Sequence, residues 1–191
     1  RLGFYTGEIF TEKPNRQRDV EPILQQLKTI KPTVISLAFD PEGSGPDTHY
    51  KVLQAIAEAI RIWSREEDLS HLRIWGYRNV WYQFHPAEAT HIVPVSLNAM
   101  SVLNNAFTNC YLSQVEASFP SYRHDGKFSD LSRKIWVEQL HTIQLLLGKP
   151  FFYQNESPRM RTTHGLLFFR EMNVEEFLSS ARELEKSMEG F

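Results

Sequence analysis

Apolar residues recur every three or four positions from Asp19 to Ile30, where Val20, Ile23, Leu24, Leu27 and Ile30 share one stripe. That spacing predicts a first helix. Pro22 suits its first turn, and Lys31-Pro32 stops it. Val34 to Phe39 then runs almost without a polar break, the pattern of a buried parallel strand. A loop from Asp40 to Thr48 follows. A second helix is expected from about His49 to Trp63, with Val52, Leu53, Ile56, Ala59, Ile60 and Trp63 inward. Leu72 to Tyr77 and His91 to Val95 read as two more strands, and Pro94 marks the latter as a sheet edge or strand end. Strand, helix and strand of these lengths make a βαβ arrangement, for which a right-handed crossover is expected.

Ser96 is a good N-cap for a helix reaching about Leu112, with Leu97, Met100, Leu103 and Phe107 on its inner face. Ser113 to Lys127 is loop-like, yet it holds Phe119, Tyr122 and His124. Ser129 or Asp130 opens a long helix to Leu147, closed by Gly148 and Pro150. Phe151 to Thr163 is irregular, Gly165 to Arg170 reads as a last strand, and Asn173 caps a terminal helix from Val174 to Met188. Arg1 to Thr11 is short and mixed. No internal repeat or low-complexity tract interrupts the pattern. The class is α/β, and residues 1–191 suit a single domain.

Composition narrows the partners. Of 191 residues, 41% are hydrophobic, enough for a core. The net charge of −2 gives no electrostatic case for nucleic acid or an anionic membrane as a general partner. A single cysteine, Cys110, forms no internal disulfide and no cysteine-rich zinc site. No apolar run approaches the ~20 residues that a bilayer requires. A cytoplasmic protein is expected, and assembly into a homo-oligomer stays open. The chain begins Arg1-Leu2-Gly3-Phe4-Tyr5, so residues before Arg1 are expected in the parent product.

Chemistry concentrates in two stretches. The first is Phe39 to Leu53, where Asp40, Glu42, Asp47 and His49 sit among Gly43, Gly45 and two prolines. Ligands gather beyond the carboxyl ends of strands in open α/β sheets, where this loop falls. The same residues also read as a helix cap, with Asp47 or Thr48 capping and His49 in the first turn. Seven histidines are present, but no H-E-x-x-H and no pair four apart, and His49 is the best single metal candidate. No G-x-S-x-G elbow and no P-loop occurs. Cys110 falls at a helix end, where a packed cysteine is common. The second stretch is Trp75 to Tyr82. With a parallel sheet it brings Tyr77, Arg78, Trp81 and Tyr82 to the His49 end. Aromatics with an arginine suit a sugar or sugar-phosphate pocket. They equally suit core rings with polar tips at the surface.

The strand, the D-P-x-G-x-G-P-D-x-H loop from Asp40 to His49 and the helix after it resemble the second metal motif of the PIG-L/LmbE-like deacetylases. Leu2-Gly-Phe-Tyr-Thr-Gly7, Arg73-Ile-Trp-Gly-Tyr-Arg78 and Ser113-Gln114 are similar to the carboxyl-terminal domain of long bacterial glucosamine-6-phosphate deaminase-like proteins. The resemblance implies a Rossmann-like, mostly parallel sheet flanked by helices, without its first strands in this chain. It implies a zinc-dependent hydrolase removing an N-acetyl group from an amino sugar or its phosphate. An upstream sugar-isomerase or deaminase domain is implied as well. By position, His49 matches a zinc ligand, and Tyr5, Tyr77 and Arg78 are placed for substrate. Many relatives carry a histidine that stabilises the tetrahedral intermediate where this chain has Pro46. Asp47 is left at the catalytic position, able to donate in its place only when protonated. The family's H-P-D-D motif does not occur here. These two departures make a non-catalytic sugar-phosphate-binding or regulatory domain the competing expectation.

Overall fold

The structure, a computed structural model, describes residues 14–40, 47–78, 83–111, 115 and 126–189. The long helices are α1 (Glu21–Ile30), α2 (Asp47–Trp63), α3 (Leu97–Asn109), α4 (Phe128–Leu147) and α7 (Val174–Glu189). Two single turns, α5 (Pro150–Tyr153) and α6 (Pro158–Arg161), lie between α4 and the last strand. Strands β1 (Val34–Ala38), β2 (Arg73–Tyr77), β3 (His91–Val95) and β4 (Gly165–Met172) form a mixed sheet in the order β1-β2-β4-β3. The α/β class expected from the pattern is the one adopted. β1 and β2 run parallel, Val34 opposite Arg73 and Ala38 opposite Tyr77. β4 is antiparallel to β2, Ile74 opposite Met172 and Tyr77 opposite Phe169. β3 also opposes β4, because Thr90 N–H meets the Phe169 carbonyl at 3.0 Å and His164 N–H meets that of Val95 at 2.9 Å. Among the described strands, parallel pairing is confined to β1 and β2.

Two compact units result, Arg1–Thr90 with Phe169–Phe191, and His91–Phe168. In the first, a five-residue π-turn, Arg16–Val20, leads into α1. Asp19 is fully buried there, and its carboxylate accepts from the Asn15 backbone N–H at 2.7 Å and from the Arg18 guanidinium. A buried carboxylate needs such partners. Lys31 takes a left-handed φ of 48° to end α1. α2 buries Leu53, Ala57, Ile60 and Trp63, and Gln54 Nε2 donates to the Ala181 carbonyl of α7 at 2.9 Å. A reciprocal cap starts α7: Glu176 N–H donates to Asn173 Oδ1, and Asn173 N–H to Glu176 Oε2. On the sheet, Leu37, Phe39, Ile74, Gly76 and Met172 make the buried face. Trp75, Tyr77, Phe169 and Glu171 line the other, where Trp75 Nε1 donates to Glu171 Oε2 at 2.7 Å. β1 departs from the buried strand that its sequence predicts. It stands at the end of the order of the described strands, with Val34 43% exposed, Ser36 exposed and Leu37 buried.

In the second unit, Ser96 Oγ accepts the Ala99 N–H and opens α3. Met100 is buried, but Leu97 is 59% exposed rather than inward. Leu97 occupies the first helical position, ahead of the turn that contacts the core. Leu131, Ile135, Leu140 and Ile143 form the buried stripe of α4, which Gly148 ends at φ 81°. A Cβ on Gly165 would lie 2.7 Å from Met100 Cε and 2.9 Å from Trp136 Cβ, so β4 needs glycine to approach these helices. Cys110 caps α3 and is exposed, not packed. No described helix is long and apolar enough to cross a membrane.

Candidate functional site

Parallel pairing sets the carboxyl ends of β1 and β2 side by side, the rim at which open α/β sheets bind ligands. Asp40 follows β1 and Arg78 follows β2. Arg78 Nη1 lies 4.0 Å from Asp40 Oδ1, and the Arg78 side chain is only 4% exposed. Its guanidinium carbon also stands 4.9 Å from the centre of the Phe84 ring. A carboxylate and a ring face together stabilise this desolvated cation.

α2 delivers His49 to the same rim in its first turn, half-buried. Burial holds the imidazole below its ordinary pKa of 6.5, and the Asp40 carboxylate pulls it partway back. Desolvation penalises the charged ring, so His49 is neutral at pH 7. That is the form able to ligate a metal or to accept a proton. Asp47 is positioned differently. Its carboxylate is exposed and ion-paired with Lys51, one helical turn on. Residues two apart on a helix do not face each other, so Asp47 and His49 project to different sides of α2.

Tyr77 ends β2 with its backbone carbonyl accepting the Phe39 N–H at 2.8 Å. Its ring lies edge-on to Phe169, centroids 6.4 Å apart, on the sheet face opposite Gly76. Strand alternation separates it from Arg78 in the same way. The rim therefore assembles Asp40, His49 and Arg78, while Asp47 and Tyr77 face elsewhere. Tyr5, Pro46, Trp81 and Tyr82 lie outside the described residues.

One rim residue was not anticipated. Arg170 pairs across from Gly76, and its guanidinium sits over the Phe39 ring, 6.0 Å from the centroid. Nothing local in the sequence singles it out; its position depends on the antiparallel register of β4.

A catalytic zinc takes three protein ligands and a water. Among the described residues no group of three or more His, Cys, Asp or Glu side chains could hold a metal. By themselves these residues do not fit a zinc centre. A separate cleft of about 990 Å³ opens at the other end of β2, beside Arg73, Glu171 and the start of α7. Several of its carboxylates already have partners: Glu67 binds Lys31, Asp68 accepts from Ser70, Glu171 accepts from Trp75, and Glu176 accepts from Asn173.

Comparison with known proteins adds one relation. Over 123 residues the chain is 31% identical to a glucosamine-6-phosphate deaminase-like protein of Bacteroides thetaiotaomicron. The match covers 61% of this chain and 18% of that protein, so the chain spans about a fifth of its relative's length. No family model matches, and no solved structure matches.

Proposed function

We propose that this chain is part of an amino-sugar-handling polypeptide, and that the rim of β1 and β2 binds an amino sugar or its phosphate. The convergence of Asp40, His49 and Arg78 at the carboxyl ends of the parallel pair supports this reading most directly. The bacterial relative, by its name, supports the substrate class. Asp40 supplies an acceptor for an ammonium or hydroxyl, Arg78 a donor already stacked on Phe84, and neutral His49 both a donor and an acceptor. Tyr5, outside the described residues, is a further candidate substrate contact, whereas Tyr77 lies on the opposite sheet face. In the full-length protein, calorimetric titration with glucosamine and glucosamine 6-phosphate is expected to give saturable binding that His49→Ala weakens. Absence of heat with both sugars would refute the reading.

The finer reading is a zinc-dependent, deacetylase-type hydrolase with an upstream sugar-isomerase or deaminase domain. The Asp40–His49 loop pattern and the neutral state of His49 favour it. Zinc, when bound, polarises an amide carbonyl and acidifies its water. A centre of that kind would draw its remaining ligands and its acid from outside the described residues, with His49 as one ligand, because Asp47 is turned away towards Lys51. Metal analysis of the full-length protein is expected to find zinc that His49→Ala removes, together with acetate release from N-acetylglucosamine 6-phosphate. Sugar binding with neither zinc nor acetate release would instead identify a non-catalytic sugar-phosphate-binding or regulatory domain.

A further inference from the structure

We propose that Arg170 and Arg78 form an anion subsite at this rim, and that the amino sugar is recognised there as its phosphate monoester. The inference rests on the sugar-binding reading above and narrows it to one substrate class. In the antiparallel register, Gly76 faces Arg170 and Tyr77 faces Phe169. Residues 78 and 170 therefore share a sheet face as diagonal neighbours, within reach of long side chains. Gly76, directly opposite Arg170, makes room for Phe39. A Cβ there would fall 2.6 Å from Phe39 Cβ, so the phenylalanine lies directly against the bare backbone. Adjacent residues then hold one guanidinium each: the Phe39 ring supports Arg170, and Asp40 pairs with Arg78.

The charge count favours an anion. Among the described residues, Asp40 offsets one arginine and Lys51 offsets Asp47. Arg170 makes no hydrogen bond or ion pair with the described residues, and its side chain is half-buried rather than fully solvated. Among the described residues, one cation is thus left over at the rim, over a ring face. Arginine presents a planar fork that matches phosphate oxygens two at a time. The amino end of α2 adds a favourable dipole at the same edge. A neutral sugar needs neither feature.

Titration calorimetry on the full-length protein tests this with glucosamine 6-phosphate, glucosamine and inorganic phosphate, using wild type, Arg170→Gln and Arg170→Lys. The 6-phosphate should bind more tightly than glucosamine. Arg170→Gln should remove about 10- to 100-fold of that preference, the worth of a charge-assisted hydrogen bond, while glucosamine affinity holds. Arg170→Lys keeps the charge without the fork and should fall between. Equal affinity for the two sugars, or a preference that survives Arg170→Gln, overturns the subsite and leaves the sugar reading standing. Inorganic phosphate binding that depends on Arg170, with no binding of either sugar, supports the subsite and overturns the amino-sugar reading. No binding of any of the three overturns both. An unchanged thermal midpoint in Arg170→Gln excludes misfolding as the cause of its loss.

Discussion

Gly76→Ala is the sharpest single perturbation of the rim. The added methyl would stand 2.6 Å from Phe39 Cβ, 3.0 Å from Phe39 Cγ and 3.2 Å from Met172 Cε. The methionine end can swing aside, but Phe39 Cβ is fixed to the backbone and no rotamer removes it. Relief requires the chain at 38–39 to part from β2, against the Phe39 N–H to Tyr77 carbonyl hydrogen bond. Overpacking of this kind costs about 1–3 kcal/mol. For a chain of this size each kcal/mol lowers the thermal midpoint by about 2–4 °C, so a fall of about 2–12 °C is expected. Near-ultraviolet circular dichroism on heating reads it. Gly148→Ala is the useful comparison, because its Cβ meets only Pro150 Cδ, at an ordinary 3.5 Å, and its φ is +81°. Its cost of about 1–3 kcal/mol would come from the backbone alone, because φ 81° with ψ 151° is a conformation essentially reserved for glycine. The two substitutions separate on sugar binding: Gly76→Ala shifts the Phe39 ring beneath Arg170, whereas Gly148→Ala leaves it in place. A Gly76→Ala protein that melts with wild type would refute the close approach of β1 and β2 described here.

Three further outcomes are expected. The lowered pKa of His49 means that, between its folded value and 6.5, the unfolded chain binds more protons than the folded one. Stability should therefore rise with pH across that window and be lost as pH falls through it; His49→Gln should flatten the difference in urea midpoints between about pH 5 and pH 8. Asp40→Asn removes one partner of the Arg78 guanidinium, whose side chain is 4% exposed, and should cost about 1–3 kcal/mol. Asp47→Asn breaks a pair whose carboxylate is 57% exposed and should cost under about 1 kcal/mol, so equal costs by urea unfolding would contradict the burial difference. On α4, Leu140→Ala should cost about 2–5 kcal/mol and Leu145→Ala, at 88% exposure, under about 0.5 kcal/mol.

Much of the fold follows from short-range rules. The stripe of α2 is periodic over three or more turns, and Leu53, Ala59, Ile60 and Trp63 are buried as the pattern expects, whereas on the α1 stripe Leu24 is buried and Ile30 is 66% exposed. Ser96, Gly148 and Asn173 announce helix ends through side-chain or backbone geometry that needs no distant partner. Pro94 lacks an N–H, and β3 does stand at a sheet edge. Long-range pairing is what the pattern does not contain. The apolar run Val34–Phe39 reads the same at the end of a sheet as in its middle, because hydrophobicity does not encode the number of neighbours. The antiparallel entry of β4 is likewise invisible in Gly165–Met172, and with it the arrival of Arg170 beside Gly76.

The loop between Asp40 and His49 shows the same limit at the level of single carboxylates. By motif, Asp47 is the acid nearest the histidine, only two positions away. Helical geometry turns it to the other side, where Lys51 engages it. Asp40 lies nine positions from His49, yet its charge is felt by the imidazole, and it also pairs with Arg78. This follows from parallel pairing, which aligns the strand ends and returns α2 above them. One carboxylate therefore acts on two groups at once. Its removal should deepen the burial effect on His49 and take one partner from Arg78 together, so Asp40→Asn ought to alter zinc retention and phosphate preference in the same variant. Asp47→Asn, acting from the far side of the helix, should leave the phosphate preference untouched. The reverse pattern in metal analysis and calorimetry would return the rim to Asp47 and defeat the assignment made from the sheet.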